Sequence, residues 1–164
     1  MRLKIIFTLL ILLALAALAS AQTKVSGTLQ CGKPDQQQAI QVGDRPDHSF
    51  LISQSKCTWT KSFEIAGVQS KEYVNTLFNE VSGNRSHGQT YAVATMTNGD
   101  KYYARSQYSA TLKEGVFESA EGKWSYAGGT GKLKGLKGKG TYTGKGAPDG
   151  TVTVEVEGEY ELPK

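Results

Sequence analysis

The last stretch of the chain alternates almost without fault. Val152, Val154, Val156, Tyr160 and Leu162 fall on one side, and Thr151, Thr153, Glu155, Glu157, Glu159 and Glu161 on the other. A period of two sends successive side chains to opposite faces, so residues 151–162 read as a strand with one dry and one wet face. Similar patterning predicts strands at 25–30, 49–53, 56–64, 73–82, 89–97, 101–112, 116–126 and 137–144. Gly, Asn, Asp and Pro stand between many of them, and this spacing predicts an all-β fold, an antiparallel sandwich or barrel. One segment fits two periods: Tyr73, Val74, Leu77, Phe78 and Val81 suit a helical face as well as a strand. Its Asn, Thr and Val content and its β surroundings favour the strand. Residues 32–47, with their glutamines, prolines and Gly43-Asp44, read as a long surface loop.

Two hairpins can be given a register. Asn98-Gly99 between strand-like runs predicts a two-residue type I′ turn, because both residues accept positive φ. Thr95 then faces Tyr102, Val93 faces Ala104 and Tyr91 faces Ser106. That face, extended by Tyr108 and Ala110, is the dry one; Lys101, Arg105 and Gln107 lie on the wet one, with Met96 and Tyr103. At the C-terminal end, residues 137–144 fold back through a loop at 145–149. With Gly144 opposite Gly150, Lys139 meets Glu155, Lys137 meets Glu157 and Tyr142 meets Val152, while Gly138 and Gly140 face inward. Outward Lys–Glu pairs of this kind help to fix register.

The N-terminal 21 residues do not belong to this pattern. Arg2 and Lys4 precede an apolar run at 5–19, and Ala19-Ser20-Ala21 supplies small residues for cleavage. This is the form of a secretory signal cut before Gln22. The apolar run is shorter than the roughly 20 residues that span a bilayer, so no membrane anchor is expected after cleavage. Removing residues 1–21 from 164 leaves 143, enough for a single domain with a real core over 22–164. The 19 basic residues fall to 17 against 15 acidic ones, a balance too even to point to nucleic acid. Cys31 and Cys57, the two cysteines of the chain, both lie in the exported part. An even count in an oxidising compartment reads as one disulfide.

The stretch GGTGKLKGLKGKGTYTGK, residues 128–145, holds seven glycines and five lysines. It is not a phosphate loop: Gly131-Lys132 is followed by Leu133, where a nucleotide site needs Ser or Thr. The dinucleotide fingerprint fails too, with Lys134 where the third glycine belongs. Asp44, Asp47 and His48 could join a metal site, but in so polar a loop they read as solvated. No metal and no cofactor is expected. Trp59 and Trp124 read as core packing, and His87 as part of an exposed turn.

The run from Trp124 through Gly128-Gly-Thr-Gly131, Leu133, Leu136 and on to Tyr142 resembles a signature of the allene oxide cyclase and dirigent barrels. The resemblance is sharpest over about 25 residues. It implies an eight-stranded antiparallel barrel around a pocket, in which Leu133 and Leu136 are apolar pegs of a short irregular crossing. The implied activities are cyclisation of a fatty-acid epoxide or stereochemical guidance of radical coupling, and the chain looks like a small exported relative of bacterial type. The catalytic residues of those families find no residue-by-residue match here.

Three functions follow in order. The first is binding of a small amphipathic molecule in the barrel, with Tyr91, Tyr102, Tyr108 and Tyr142 in its wall. Tyrosines among small residues leave both space and polarity. The second is a cyclase-like or stereo-directing enzyme, for which Glu118 is the candidate acid or base if it is buried. The third is a structural or interaction module with a filled core, since eight strands can be packed solid.

Overall fold

A computed structural model describes residues 22–163, so the expected signal segment lies outside the described residues. Ten strands form one antiparallel sheet: β1 (Thr23–Cys31), β2 (Gln36–Gln41), β3 (His48–Trp59), β4 (Glu64–Ile65), β5 (Val68–Ser82), β6 (Arg85–Met96), β7 (Lys101–Lys113), β8 (Val116–Gly129), β9 (Lys137–Gly146) and β10 (Val152–Glu161). Their order is β2-β3-β1-β10-β9-β8-β7-β6-β5-β4, and β3 also pairs with β5. That last pairing closes β3, β1 and β10 through β5 into an eight-stranded barrel, leaving β2 and β4 outside the ring.

The ring is long on most sides and short on one. β3 and β5 share pairs from His48↔Ser82 to Cys57↔Tyr73. β1 meets β3 only through Leu29↔Trp59, Gln30↔Thr58 and Cys31↔Cys57. The disulfide joins the two half-cystines of that last pair, so it staples the narrowest seam of the barrel. Beyond the seam, the same edge of β3 is covered by β2, from Gln36↔Gln54 to Gln41↔Ser49.

Several sequence expectations need correction. The expected surface loop at 32–47 contains β2, because its glutamines and Ala39-Ile40 can pair with a free edge even though every one of its side chains is exposed. The expected strands at 49–53 and 56–64 are one strand, β3, which ends at Trp59. The ambiguous segment is strand: Tyr73, Leu77 and Val81 turn inward, while Val74 and Phe78 turn outward. It suited a helical face because both sides of β5 carry apolar residues.

The turn at Asn98-Gly99 has three residues rather than two. Met96 N donates to Asp100 O at 2.8 Å and Gly99 N to Met96 O at 3.0 Å. Gly99 alone takes positive φ, at 87°, and the Asn98 carboxamide instead accepts from Asp100 N at 3.0 Å. Ala94 therefore faces Tyr102, Ala92 faces Ala104 and Tyr91 faces Arg105, one residue away from the expected pairing. The second hairpin closes in the same way, with Ala147 N donating to Thr151 O and Gly150 at φ 82°. Lys139 accordingly meets Glu159 and Lys137 meets Glu161, four residues from the expected register. An even offset keeps every side chain on its expected face, so the Lys–Glu ladder survives with different partners.

One end of the barrel is sealed. Phe63, Ile65, Val68, Met96, Leu133 and Leu136 are buried together there, with Tyr102 and Ala94 beneath them. The glycine-rich crossing after β8 sends Leu133 and Leu136 into this plug, where they are 0% and 2% exposed. Gly131, at φ 52°, sits so close to the Asp100 carboxylate that no Cβ would fit. The same carboxylate accepts from Lys132 N at 3.0 Å and fixes the crossing.

Candidate functional site

Above the plug the barrel is not filled. An inner chamber of about 100 Å³ lies against Trp59, Phe63, Tyr73, Tyr102, Trp124 and Tyr126. An outer chamber of about 330 Å³ continues from it to the far end, reaching Pro34, Gly115 and Gly150 in the turns there. Asn75, Thr90, Tyr142 and Val154 border both chambers. At this junction the Tyr142 hydroxyl lies 3.3 Å from Ser106 Oγ, which in turn lies 2.7 Å from Thr90 Oγ1. Gly122 makes the arrangement possible, since a Cβ there would fall 2.6 Å from the Tyr142 ring.

The aromatic floor is tightly organised. Trp59 stacks on Phe63 with centroids 4.0 Å apart, and Tyr102 and Trp124 each meet the Tyr126 ring edge-on. Trp124 lies over Gly140 and Gly158 and donates its indole N–H to Glu157 O at 3.1 Å. The Tyr102 hydroxyl sits beside the Trp59 indole and Ser70, neither of which makes a hydrogen bond of normal geometry.

The outer chamber has two kinds of wall. Ala110, Leu112, Phe117, Ala120, Val152 and Val154 make an apolar side. On β3 and β5, Ser53, Ser55, Asn75 and Asn79 are interspersed with Leu51, Leu77 and Val81, and β6 adds Ser86 beside Ala110. Ser53, Ser55, Asn79 and Ser86 are all buried. Asn79 Nδ2 donates to Ser86 Oγ at 2.7 Å, while the Oδ1 atoms of Asn75 and Asn79 have no partner.

Among the described residues, no ionised group enters this interior. Of the lining residues only Arg105 is charged, and its guanidinium turns to the outer face, 5.7 Å above the Tyr91 ring. Burial pushes the Tyr108 hydroxyl up to about 12 and raises Tyr73, Tyr102, Tyr126 and Tyr142 as well. These phenols stay protonated near neutral pH and act as hydrogen-bonding groups rather than bases.

Three of the four tyrosines singled out in the sequence meet the cavity. Tyr102 lines the inner chamber, Tyr108 the outer one and Tyr142 both. Tyr91 does not: the three-residue turn places it outside, 41% exposed and stacked on Tyr103. Met96, expected on the wet face, is buried in the plug for the same reason. Glu118 is exposed on β8 and lies outside the cavity wall, so the buried carboxylate that an acid–base role requires is not there. Asp44 and His48 come together on the outer surface, but with Glu80 rather than Asp47. His48 Nδ1 lies 2.5 Å from Asp44 and Nε2 lies 2.8 Å from Glu80. Among the described residues no three His, Cys, Asp or Glu side chains converge as a metal ion would need.

The polar strip was not read from the sequence. The signal for it was present: Tyr73, Asn75, Leu77, Asn79 and Val81 share one strand face, on which two carboxamides interrupt an apolar series. A buried polar side chain on such a face must find a partner or lack one.

Fold and cavity together define a closed eight-stranded antiparallel barrel with an uncharged interior chamber. No protein-family model matches the chain, and no curated protein does. Among the solved structures similar to this chain are two of low identity. A pterocarpan synthase dirigent protein, GePTS1, aligns over 88% of this chain and 92% of its own, with 11% identity and a TM-score of 0.49. A pyocyanin demethylase aligns over 80% of this chain and 99% of its own, with 21% identity and a TM-score of 0.40.

Proposed function

We propose that this is an exported protein that binds a small amphipathic molecule inside its barrel. The observation that carries the reading is the outer chamber of about 330 Å³, apolar along β8 and β10 and mixed apolar and polar along β3 and β5. Its size falls within the range of small-molecule sites, and a few convergent polar groups in an apolar cleft are what orient a ligand. Tyr108 and Tyr142 supply both ring surface and a hydroxyl. Export is supported by the Cys31–Cys57 disulfide, which persists in oxidising compartments, and by the secretory form of residues 1–21.

A stereo-directing role is the second reading, favoured by the uneven spread of polar groups around the chamber. Guiding a coupling asks a cavity to hold a reactive guest in one orientation, and it asks for no charged catalyst. An acid–base cyclase finds less support, because Glu118 faces solvent.

Native mass spectrometry of protein purified gently from its own host tests the binding reading. The expected spectrum shows a mature chain starting at or near Gln22, with the disulfide intact and a small molecule that leaves on denaturation. A bare polypeptide mass, together with no uptake of an environment-sensitive apolar dye, overturns it.

A further inference from the structure

We infer that the guest is a neutral carbonyl compound, whose oxygen sits at the waist between the two chambers and accepts a hydrogen bond from the Tyr142 hydroxyl. This narrows the binding reading above and rests on it. A belt of polar side chains crosses the sheet at the waist. Thr90 of β6 is paired directly with Ser106 of β7, and the Tyr142 ring reaches Ser106 from β9 by passing over Gly122 of β8. Thr90, Ser106 and Tyr142 all border the inner chamber, and Thr90 and Tyr142 border the outer one too. All three are half-buried.

Counting protons shows what the belt lacks. Each hydroxyl can donate once, and two hydrogen bonds join the three: Thr90 to Ser106 at 2.7 Å and Ser106 to Tyr142 at 3.3 Å. One proton is left over, and among the described residues no other group takes it. The phenol is the best placed to hold it. Tyr142 ends the chain, its link to Ser106 is the longer of the two, and a phenol donates more strongly than an alkanol. Thr90 then donates to Ser106, and Ser106 to Tyr142. Enclosed donors without partners are rarer in folded proteins than oxygens with a spare lone pair, so the missing partner is an acceptor.

Asn75 of β5 borders both chambers as well. Its Oδ1 is buried away from the space, which leaves the Nδ2 end of the carboxamide to meet a guest. Two donors at one waist suit a carbonyl oxygen, with its two lone pairs, better than a hydroxyl or an amine. An anionic oxygen is excluded: the one cation in the lining, Arg105, turns outward, and an ion without a counter-charge loses too much solvation there. Apolar surface lies on both sides of the waist, Trp59 and Trp124 within and Ala110 and Val154 toward the mouth. The carbonyl therefore stands between two apolar parts of the guest rather than at the end of a chain.

Two probes of one skeleton read this: 1-indanone, which carries a carbonyl, and indane, which does not. Both are titrated calorimetrically into the disulfide-bonded chain and its variants. Tyr142→Phe keeps the ring over Gly122 and deletes the hydroxyl. It should weaken 1-indanone on the order of tenfold and leave indane unchanged. The infrared C=O stretch of bound 1-indanone should move to higher frequency in this variant, because the carbonyl has lost its donor. Thr90→Val, which keeps the side-chain shape, should cost less than Tyr142→Phe. Equal losses for both probes, an unmoved stretch, or binding of indane without 1-indanone overturns the inference while interior binding stands. A larger loss from Thr90→Val overturns Tyr142 as the donor. Should Tyr142→Phe fold poorly, the stretch in the unaltered chain decides, and a frequency equal to that in alkane solution overturns the inference. If neither probe binds the unaltered chain, the binding reading itself falls, and this inference with it.

Discussion

Glycines and aromatic rings work together in this barrel. The Tyr142 ring comes close over Gly122 of the paired strand, and the Trp124 indole covers Gly140 and, one strand further on, Gly158. Gly140 is the sharpest case: a Cβ there would collide with the Glu157 carbonyl and come within 2.7 Å of the Trp124 indole nitrogen. Gly140→Val should therefore destabilise the fold by about 1–3 kcal/mol through overpacking. Denaturant unfolding followed by tryptophan fluorescence checks it, and the native emission of Trp124 should shift as well. An unchanged midpoint would mean the ring can move aside freely. At this scale the sequence was informative wherever a face could be assigned. Tyr102, Tyr108 and Tyr142 were placed correctly by alternation along their own strands. Tyr91 was not, because its face depended on a turn length: Asn-Gly favours the two-residue loop, but a three-residue loop with glycine as its last, left-handed residue accepts the pair too.

Among the elements, the turns decide most. Met96–Asp100 and Ala147–Thr151 both close three-residue loops whose last residue is a glycine in the left-handed region. Alternation fixes which side a residue faces, but not its partner, so a repeating Lys-Gly pattern opposite a repeating Glu pattern tolerated a four-residue slip. The strand β2 was missed for a different reason. An exposed edge strand has no dry face, and without one there is no period of two to read.

The segment between β2 and β3 is held by its own electrostatic clasp. His48 is buried between Asp44 and Glu80, and Arg45 bridges Asp44 at 2.5 Å and Glu80 at 3.7 Å. The hydrogen bond to Asp44 raises the His48 pKa above the ordinary 6.5, against the opposing effect of burial, and Glu80 adds to the rise. A raised folded value means the clasp stabilises fully below the ordinary value and fades as pH climbs through the raised one. The Asp44 carboxyl is lowered, mainly by the same bond, so its share persists until strongly acidic pH. His48→Gln should cost thermal stability at about pH 5.5 and much less at about pH 9. A penalty that is the same at both values would show that the imidazolium charge plays no part.

For the molecule as a whole, the weak point is the seam. Every other junction of the ring is longer than the three pairs by which β1 meets β3. The disulfide closes a sequence separation of 26 residues at that place. Replacing both cysteines by serine should cost about 3 kcal/mol. Amide exchange should then accelerate first at Leu29–Cys31 and Cys57–Trp59, while β7 and β8 stay protected. Uniform acceleration across the barrel would mean that the seam opens only with global unfolding. The all-β class, the eight-stranded ring and the disulfide were legible in the sequence. The division of the interior into a sealed end and a chamber was not, because it depends on how residues from segments far apart in the chain converge.

A closed ring has no edges, yet β2 returns one to this molecule. Its inner side pairs with β3, and its far side presents bare backbone N–H and C=O groups to water. Between Gln36 and Gln41 there is neither a charge nor a proline to blunt that row. Ile40, 73% exposed, continues outward into Phe50, Ile52 and Phe78 on the adjoining strands. Such an edge is a template on which a neighbouring chain can add a strand. Colloidal stability therefore rests on the charged residues just beyond it, Lys33 and Asp35 before the strand and Asp44 and Arg45 after it, which act as gatekeepers for an otherwise self-contained barrel.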